Sequence, residues 1–102
     1  MPLSRKHGRR KVHKLFWKPL AHRDLLQIVR YIAQDNPDAA EKLAHDIEAK
    51  TLNLMANPKL SRIGRLHGTR ELVVHPNYFL VYRVLDEVVE ILRVKHSAQR
   101  FP

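Results

Sequence analysis

The sequence contains no cysteine and only three glycines among its 102 residues. Without thiols, neither a disulfide framework nor a thiolate metal site can stabilise the fold. The glycines Gly8, Gly64 and Gly68 match neither a dinucleotide-binding fingerprint nor a Walker loop. We therefore expect no nucleotide or other cofactor.

Long apolar runs are also missing from the sequence. No run approaches the ~18 residues of a membrane span, and the basic start is not followed by the apolar segment of a secretory signal. Both absences predict a cytoplasmic protein that does not bind a membrane.

The residue patterns of common catalytic sites are absent as well. The seven histidines include no i, i+4 pair on a predicted helix, which argues against a metal site. The serines Ser4, Ser61 and Ser97 lack the context of a nucleophile elbow, so a serine hydrolase is not expected.

Positive charge is abundant, and much of it lies at the start of the chain. The formal net charge is +9, and residues 1–14 hold six Lys or Arg and no acid. Residues 15–102 hold 13 basic and 10 acidic side chains, so the remainder is mildly basic. A basic protein favours polyanions or acidic protein partners. We expect a flexible basic arm over residues 1–11 and a single domain over residues 12–102.

The apolar periodicity predicts an α+β fold with an N-terminal strand, a helical hairpin and a three-stranded antiparallel meander. The first strand covers residues 12–17, with Val12, Leu15, Phe16 and Trp17 as candidates for burial. Helices are predicted over 19–34 and from Pro37 to before Asn57, with Asn36 as the N-cap between them. A basic loop at 56–68 precedes strands over 69–75, 78–84 and 88–95.

The predicted strand over 78–84 is apolar on both faces. Leu80 and Tyr82 alternate with Phe79 and Val81, whereas two helices can cover only one face of the meander. An exposed apolar face would be costly, so something should cover it. The chain's own tail, a second copy and a dedicated partner are the alternatives, and the partner hypothesis makes Leu80, Tyr82, Phe79 and Val81 its binding residues.

Basic residues of the sheet region could serve RNA cleavage, which needs a base, an acid and cations around the scissile phosphate. The residues available are His67, His75, His96, Arg62, Arg65, Arg70, Arg83 and Lys95. Each of them could equally be a solvated or structural side chain.

The element order and the phrases "GTRELVV", "YFLVYRV", "VEILRVKH" and "AQRFP" resemble the ParE/RelE superfamily of toxins from bacterial toxin–antitoxin modules. The segment "WKPLAHRDLLQIVRYIAQDNPDAA" is most similar to the ParE-type branch. The resemblance implies a toxin that a cognate antitoxin neutralises by wrapping around its sheet and helices. It also implies contact with operator DNA through the antitoxin complex.

The two branches of the superfamily imply different targets. ParE-type toxins inhibit DNA gyrase, whereas RelE-type toxins cleave mRNA on the ribosome. RelE-type members carry an Arg before the "LVY" of the central strand, where this chain has Phe79. They also carry a lysine where this chain has Arg70 and a second lysine two residues on, where it has Leu72. The resemblance therefore favours a gyrase inhibitor over an enzyme.

Alternatives remain open on the same residues. For a nuclease the catalytic residues would be His96, Arg70, Arg65 and Arg83. The target-binding residues implied for either activity are Arg62, Arg65, Arg70, Arg83, Arg93, Lys95 and His96. A third possibility is an inactive homologue that serves as a binding partner or co-repressor, for which the basic arm could contact DNA.

Overall fold

The computed structural model describes residues 12–98, so the arm predicted over 1–11 and the last four residues lie outside the described part. Two helices and five strands follow one another along the chain. They are β1 (Lys14–Trp17), α1 (Pro19–Asp35), α2 (Pro37–Ala56), β2 (Arg62–Ile63), β3 (Arg70–His75), β4 (Tyr78–Leu85) and β5 (Val88–His96). The α+β class and the predicted order of elements are confirmed.

The strands form one sheet in the order β1-β5-β4-β3-β2. The predicted meander is present, because β3, β4 and β5 pair antiparallel through short turns. Two features go beyond the prediction. β1 pairs parallel with β5, with Lys14 opposite Val88, and the basic loop contains the short edge strand β2.

The helical hairpin begins and ends where the sequence predicts. Pro19 and Pro37 occupy the first turns of α1 and α2, where their missing N–H groups leave no bond unmade. The Asn36 side chain accepts the Ala39 N–H at 3.0 Å and so caps α2. Asp38 lies in the first turn of α2, where its charge complements the helix dipole.

One hydrophobic core lies between the helices and the facing side of the sheet. Its buried members are Ala21, Leu43, Ile47, Leu54, Val74, Tyr78, Leu80, Tyr82, Val89, Ile91 and Val94. Leu15 and Trp17 pack against this core as predicted. The prediction is wrong for Val12 and Phe16, which are 59% and 49% exposed. Phe16 alternates with the partly buried Leu15 and Trp17 and so faces away from the helices.

Asp24 on α1 completes the sheet where β1 ends. Its Oδ2 accepts the Val94 N–H at 3.0 Å and the Arg93 Nε–H at 2.7 Å, and Oδ1 accepts from Arg93 Nη2 at 3.1 Å. The Asp24 hydrogen bond raises the pKa of Arg93 above its ordinary value. The carboxylate thus satisfies a main-chain donor that a longer β1 would have paired.

Replacing Asp24 with asparagine should lower the free energy of unfolding by about 1–2 kcal/mol, because a charge-assisted pair with Arg93 is lost while the side-chain volume is kept. Urea denaturation followed by circular dichroism measures the change. Asp35→Asn, at an exposed position in the last turn of α1, is the control and should stay within about 0.5 kcal/mol of the parent. Equal stability of D24N and the parent would contradict the structural role of this carboxylate.

Candidate functional site

The basic loop forms a tight turn between β2 and β3. Gly64 donates its N–H to the Thr69 carbonyl at 2.8 Å, and the Thr69 hydroxyl donates to the Leu66 carbonyl at 2.7 Å. A Cβ on Gly64 would lie 2.3 Å from that hydroxyl oxygen, so this close approach requires glycine. The turn fixes the main chain that carries Arg65 and His67.

Glu71 on β3 is a buried carboxylate, with a side chain 2% exposed. Its Oε1 lies 3.0 Å from Arg62 Nη2, and its Oε2 accepts the Arg65 main-chain N–H at 3.1 Å. Both guanidinium groups lie over the Phe79 ring, with Cζ 5.9 Å and 5.6 Å from the ring centroid. We call Arg62, Arg65, Glu71 and Phe79 the Phe79 cluster. It combines an ion pair whose carboxylate is buried with two cation–π contacts.

The Phe79 cluster lies on the outer face of the sheet, the face turned away from the helices. Phe79 and Val81 are 1% and 2% exposed there, although neither belongs to the core beneath the helices. The chain's own arginines therefore cover the part of the outer face that the sequence left apolar. Val73, opposite Phe79 on β3, remains 48% exposed.

The predicted antitoxin-binding residues need correction in this light. Leu80 and Tyr82 are 0% exposed and lie in the core under the helices, so no partner can touch them in this fold. The Tyr82 hydroxyl donates to the Pro58 carbonyl, and burial raises the pKa of Tyr82. Phe79 and Val81 face the other way but are also buried. The four residues are structural and do not form an open binding surface.

Arg70 and Arg83 line a cleft at the end of the sheet where β3 begins and β4 ends. The cleft has a volume of about 370 Å³, and Lys59 and His67 also line it. Arg70 Nη1 donates to the carbonyls of Lys59 and Ser61 at 3.1 Å and 2.8 Å. Arg83 Nε lies 2.7 Å from Glu90 Oε1 on the neighbouring strand. We call this feature the basic cleft.

A second polar cleft lies at the opposite end of β4. It has a volume of about 220 Å³, and its lining includes Asp24, Tyr78, Arg93 and His96. The His96 ring contacts Tyr78 edge-on at 5.2 Å, and its Nδ1 accepts the Ala98 N–H at 3.0 Å. Arg93 is held by Asp24, as described above. The two charged side chains of this cleft, Asp24 and Arg93, therefore pair with each other.

The seven predicted target-binding residues thus fall into separate places. Arg62 and Arg65 belong to the Phe79 cluster, Arg70 and Arg83 to the basic cleft, and Arg93 and His96 to the second cleft. Lys95 lies on β5, directly opposite Phe79 of β4 in the strand register. The four residues predicted for a nuclease do not meet in one cleft, because His96 lies at the other end of β4 from Arg70 and Arg83.

Sequence reasoning missed Glu71 and Asp24, the two carboxylates that organise these arginines. A signal for Glu71 was present, because it is the only acidic residue between Lys50 and Asp86, a stretch that holds five Lys or Arg. A single carboxylate among five basic side chains is expected to form an ion pair with at least one of them. Asp24 gave no comparable signal, since its partners Arg93 and Val94 are far along the chain.

Within residues 12–98, no group of three or more His, Cys, Asp or Glu side chains could hold a metal ion. No helix in that part of the chain is long and apolar enough to cross a membrane.

Known proteins share both the sequence pattern and the fold. The family described as the ParE toxin of the type II toxin–antitoxin system parDE matches residues 15–101. The chain is 38% identical over 90 residues to the protein Y4kP of Sinorhizobium fredii, covering 87% of this chain and 93% of Y4kP. It is 37% identical over 83 residues to toxin RelE2 of Caulobacter vibrioides, covering 81% and 91% of the two chains.

A solved structure agrees with these matches. A chain from the chromosomal ParDE toxin–antitoxin system of P. aeruginosa has a TM-score of 0.74 and 26% identity, with 83% of this chain and 96% of that chain covered. The helical hairpin on a meander sheet is therefore that of the ParE/RelE superfamily of toxins. Within it, the chain belongs to the ParE toxin family of type II toxin–antitoxin systems.

Proposed function

We propose that this toxin arrests growth by inhibiting DNA gyrase rather than by cleaving RNA. The observation that carries the proposal is the environment of Phe79, which stands where RelE-type nucleases have an arginine. The Phe79 side chain carries no charge, and the two arginines that lie over it, Arg62 and Arg65, pair with Glu71. Leu72, at the position of a second lysine, packs against the core.

His96 has a structural environment that supports the same proposal. Its Nδ1 accepts a main-chain N–H, and its ring packs on Tyr78. A general acid or base must also lie near the cations that stabilise the transition state. Arg70 and Arg83 lie in the other cleft, so His96 lacks their support.

The second candidate function is ribosome-dependent cleavage of mRNA. Two relatives favour it, because toxins RelE2 and RelE3 of Caulobacter vibrioides, which carry the RelE name, are 37% and 33% identical to this chain. An inactive homologue acting as a co-repressor is the remaining alternative. The experiment below separates all three.

The proposal includes a cognate antitoxin that neutralises the toxin in the cytoplasm. Solved structures with this fold that are toxin–antitoxin complexes, such as RelBE2 of Mycobacterium tuberculosis with a TM-score of 0.61 and 25% identity, support this partner. Contact with operator DNA would come through that complex. The proposed organisation is one toxin domain over residues 12–102 behind a basic arm over residues 1–11.

The test adds the purified protein to two assays in parallel. In the first, gyrase supercoils relaxed plasmid with ATP; in the second, ribosomes translate a defined mRNA whose cuts are mapped by primer extension. We expect inhibited supercoiling with accumulated cleaved DNA, and no mRNA cuts. Leu80→Asp, which should unfold the core, is the matched inactive control.

Cuts at the ribosomal A site without an effect on gyrase would overturn the proposal and make Phe79 a tolerated departure in a nuclease. No effect in either assay, from a protein that is folded by circular dichroism, would favour the inactive homologue.

A further inference from the structure

The basic cleft brings together positive side chains from three separate parts of the chain. Lys59 comes from the loop after α2, Arg70 from the start of β3 and Arg83 from the end of β4, and His67 stands at the turn between β2 and β3. Among the residues that the structure describes, its lining contains no acidic side chain. Folding therefore collects cations that lie far apart in the sequence around a single opening.

The described residues do not neutralise all the cations of this cleft. Arg83 pairs with Glu90, which lies outside the lining. Arg70 is bonded to two neutral carbonyls, and no acidic side chain of residues 12–98 pairs with it. Among residues 12–98, the Lys59 ammonium takes part in no hydrogen bond or ion pair. Within the part of the chain that the structure describes, the cleft has at least two uncompensated positive charges facing one opening.

The walls of the cleft are held in place before any ligand arrives. The two carbonyl contacts fix the Arg70 guanidinium, and the Gly64–Thr69 contact fixes the turn that carries His67. A side chain fixed in its binding geometry loses little entropy when a ligand binds. The neighbouring Tyr82 hydroxyl bonds Pro58 and so secures the loop that bears Lys59.

We propose that the basic cleft is a binding site for a phosphodiester group of a nucleic-acid backbone. A phosphate spreads its charge over several oxygens and can accept from Lys59, Arg70 and Arg83 together. A carboxylate is satisfied by one bidentate arginine and would leave the other cations of the cleft unpaired. The net charge of +9 would bring the chain to a polyanion and increase the rate of encounter.

This inference deepens the proposed function. The identity of the nucleic acid that supplies the phosphate depends on that proposed function. A toxin that holds gyrase on cleaved DNA acts beside a duplex backbone, so the duplex is the expected source. Phosphate contacts position a protein on DNA without reading its sequence. The site would therefore orient the toxin on its target complex and leave the choice of target to other surfaces.

The experiment uses the full-length protein without gyrase or ribosomes. A 10-base-pair DNA duplex, a single-stranded RNA and a glutamate-rich peptide are titrated separately into labelled protein, and amide shifts are followed by NMR. Fluorescence anisotropy at several KCl concentrations gives the dissociation constants. Lys59→Gln removes a cation of the cleft, and the matched control Lys50→Gln removes an exposed charge from α2 outside it.

We expect the duplex to shift the amides of residues 67–70. Lys59→Gln should weaken duplex binding about 3- to 10-fold and reduce the salt slope by about 0.9, the value for one phosphate contact. Lys50→Gln should change the binding less than 2-fold. Stronger binding of the RNA than of the duplex at the same amides would retain the phosphodiester site and move its source to RNA.

Two results would overturn the proposal. The first is equal duplex binding by Lys59→Gln, by the double variant Lys59→Gln/Arg83→Gln and by the parent, with both variants folded. The second is preferential binding of the glutamate-rich peptide at residues 67–70, which would assign the cleft to carboxylates. A failure of gyrase inhibition with duplex binding intact would reject the proposed target and leave the site standing.

Discussion

Replacing Leu80 with alanine should lower the free energy of unfolding by about 3 kcal/mol, within the range for large-to-small substitutions in a packed core. Leu80 is 0% exposed in the centre of β4, between strands β3 and β5 and under the helices. The truncation removes buried apolar surface and leaves a cavity that rigid neighbours fill only in part. Urea denaturation followed by circular dichroism measures the loss.

The control for this prediction is Leu60→Ala, at a position 81% exposed in the loop after α2. It removes the same atoms and should change stability by less than about 0.5 kcal/mol. Equal effects of the two substitutions would show that β4 is not the central strand of the core. The comparison also bears on antitoxin binding, because any loss of binding in a Leu80 variant would then report unfolding rather than a lost contact.

Replacing Glu71 with glutamine should lower the free energy of unfolding by about 2 kcal/mol. The Glu71 side chain is 2% exposed and pairs with both Arg62 and Arg65. A glutamine amide in its place would lack the negative charge that holds the two arginines and would direct an N–H donor toward them. The arginines are half exposed and can return to water, which keeps the loss below that of a fully buried pair. Urea denaturation measures stability, and the NMR signal of the Arg65 amide reports its lost partner.

Asp46→Asn provides the matched control for E71Q. It breaks the Lys42–Asp46 pair at 3.1 Å on the surface of α2, and such exposed pairs contribute roughly 0–1 kcal/mol. Glu71→Gln should therefore be the more damaging of the two. If E71Q were as stable as D46N, the Phe79 cluster would be a surface arrangement with no role in covering the sheet.

The helices could be predicted from the sequence because local interactions determine their ends. Pro19, Asn36 and Pro37 act within one turn of the chain, and the apolar spacing of α1 selects the buried side without reference to distant residues. The meander was equally accessible, since its turns at Pro76–Asn77 and Asp86–Glu87 join strands that are neighbours in sequence. Asp86 has a φ of 53°, a left-handed conformation that aspartate tolerates.

What could not be predicted depends on contacts between distant residues. The parallel pairing of β1 with β5 leaves no local pattern, and β2 has only two residues, too few for a periodic signal. The sequence pattern predicts an apolar outer face but does not show which residues cover it. The cover depends on Glu71, which holds Arg62 and Arg65 over the Phe79 ring. No local pattern marks these charged side chains as buried or covering groups, and only the fold brings the two arginines over the Phe79 ring.

The position of β5 affects how the toxin is made. The last strand of the sequence lies between β1 and β4, so the two halves of the sheet have no shared edge until it is in place. During synthesis the earlier elements emerge from the ribosome without the strand that joins them, and pairing Lys14 with Val88 requires closing a loop of nearly the whole domain. The complete sheet can therefore form only after β5 has been synthesised, and the parallel pairing of β1 with β5 is among the last sheet contacts that the growing chain can make.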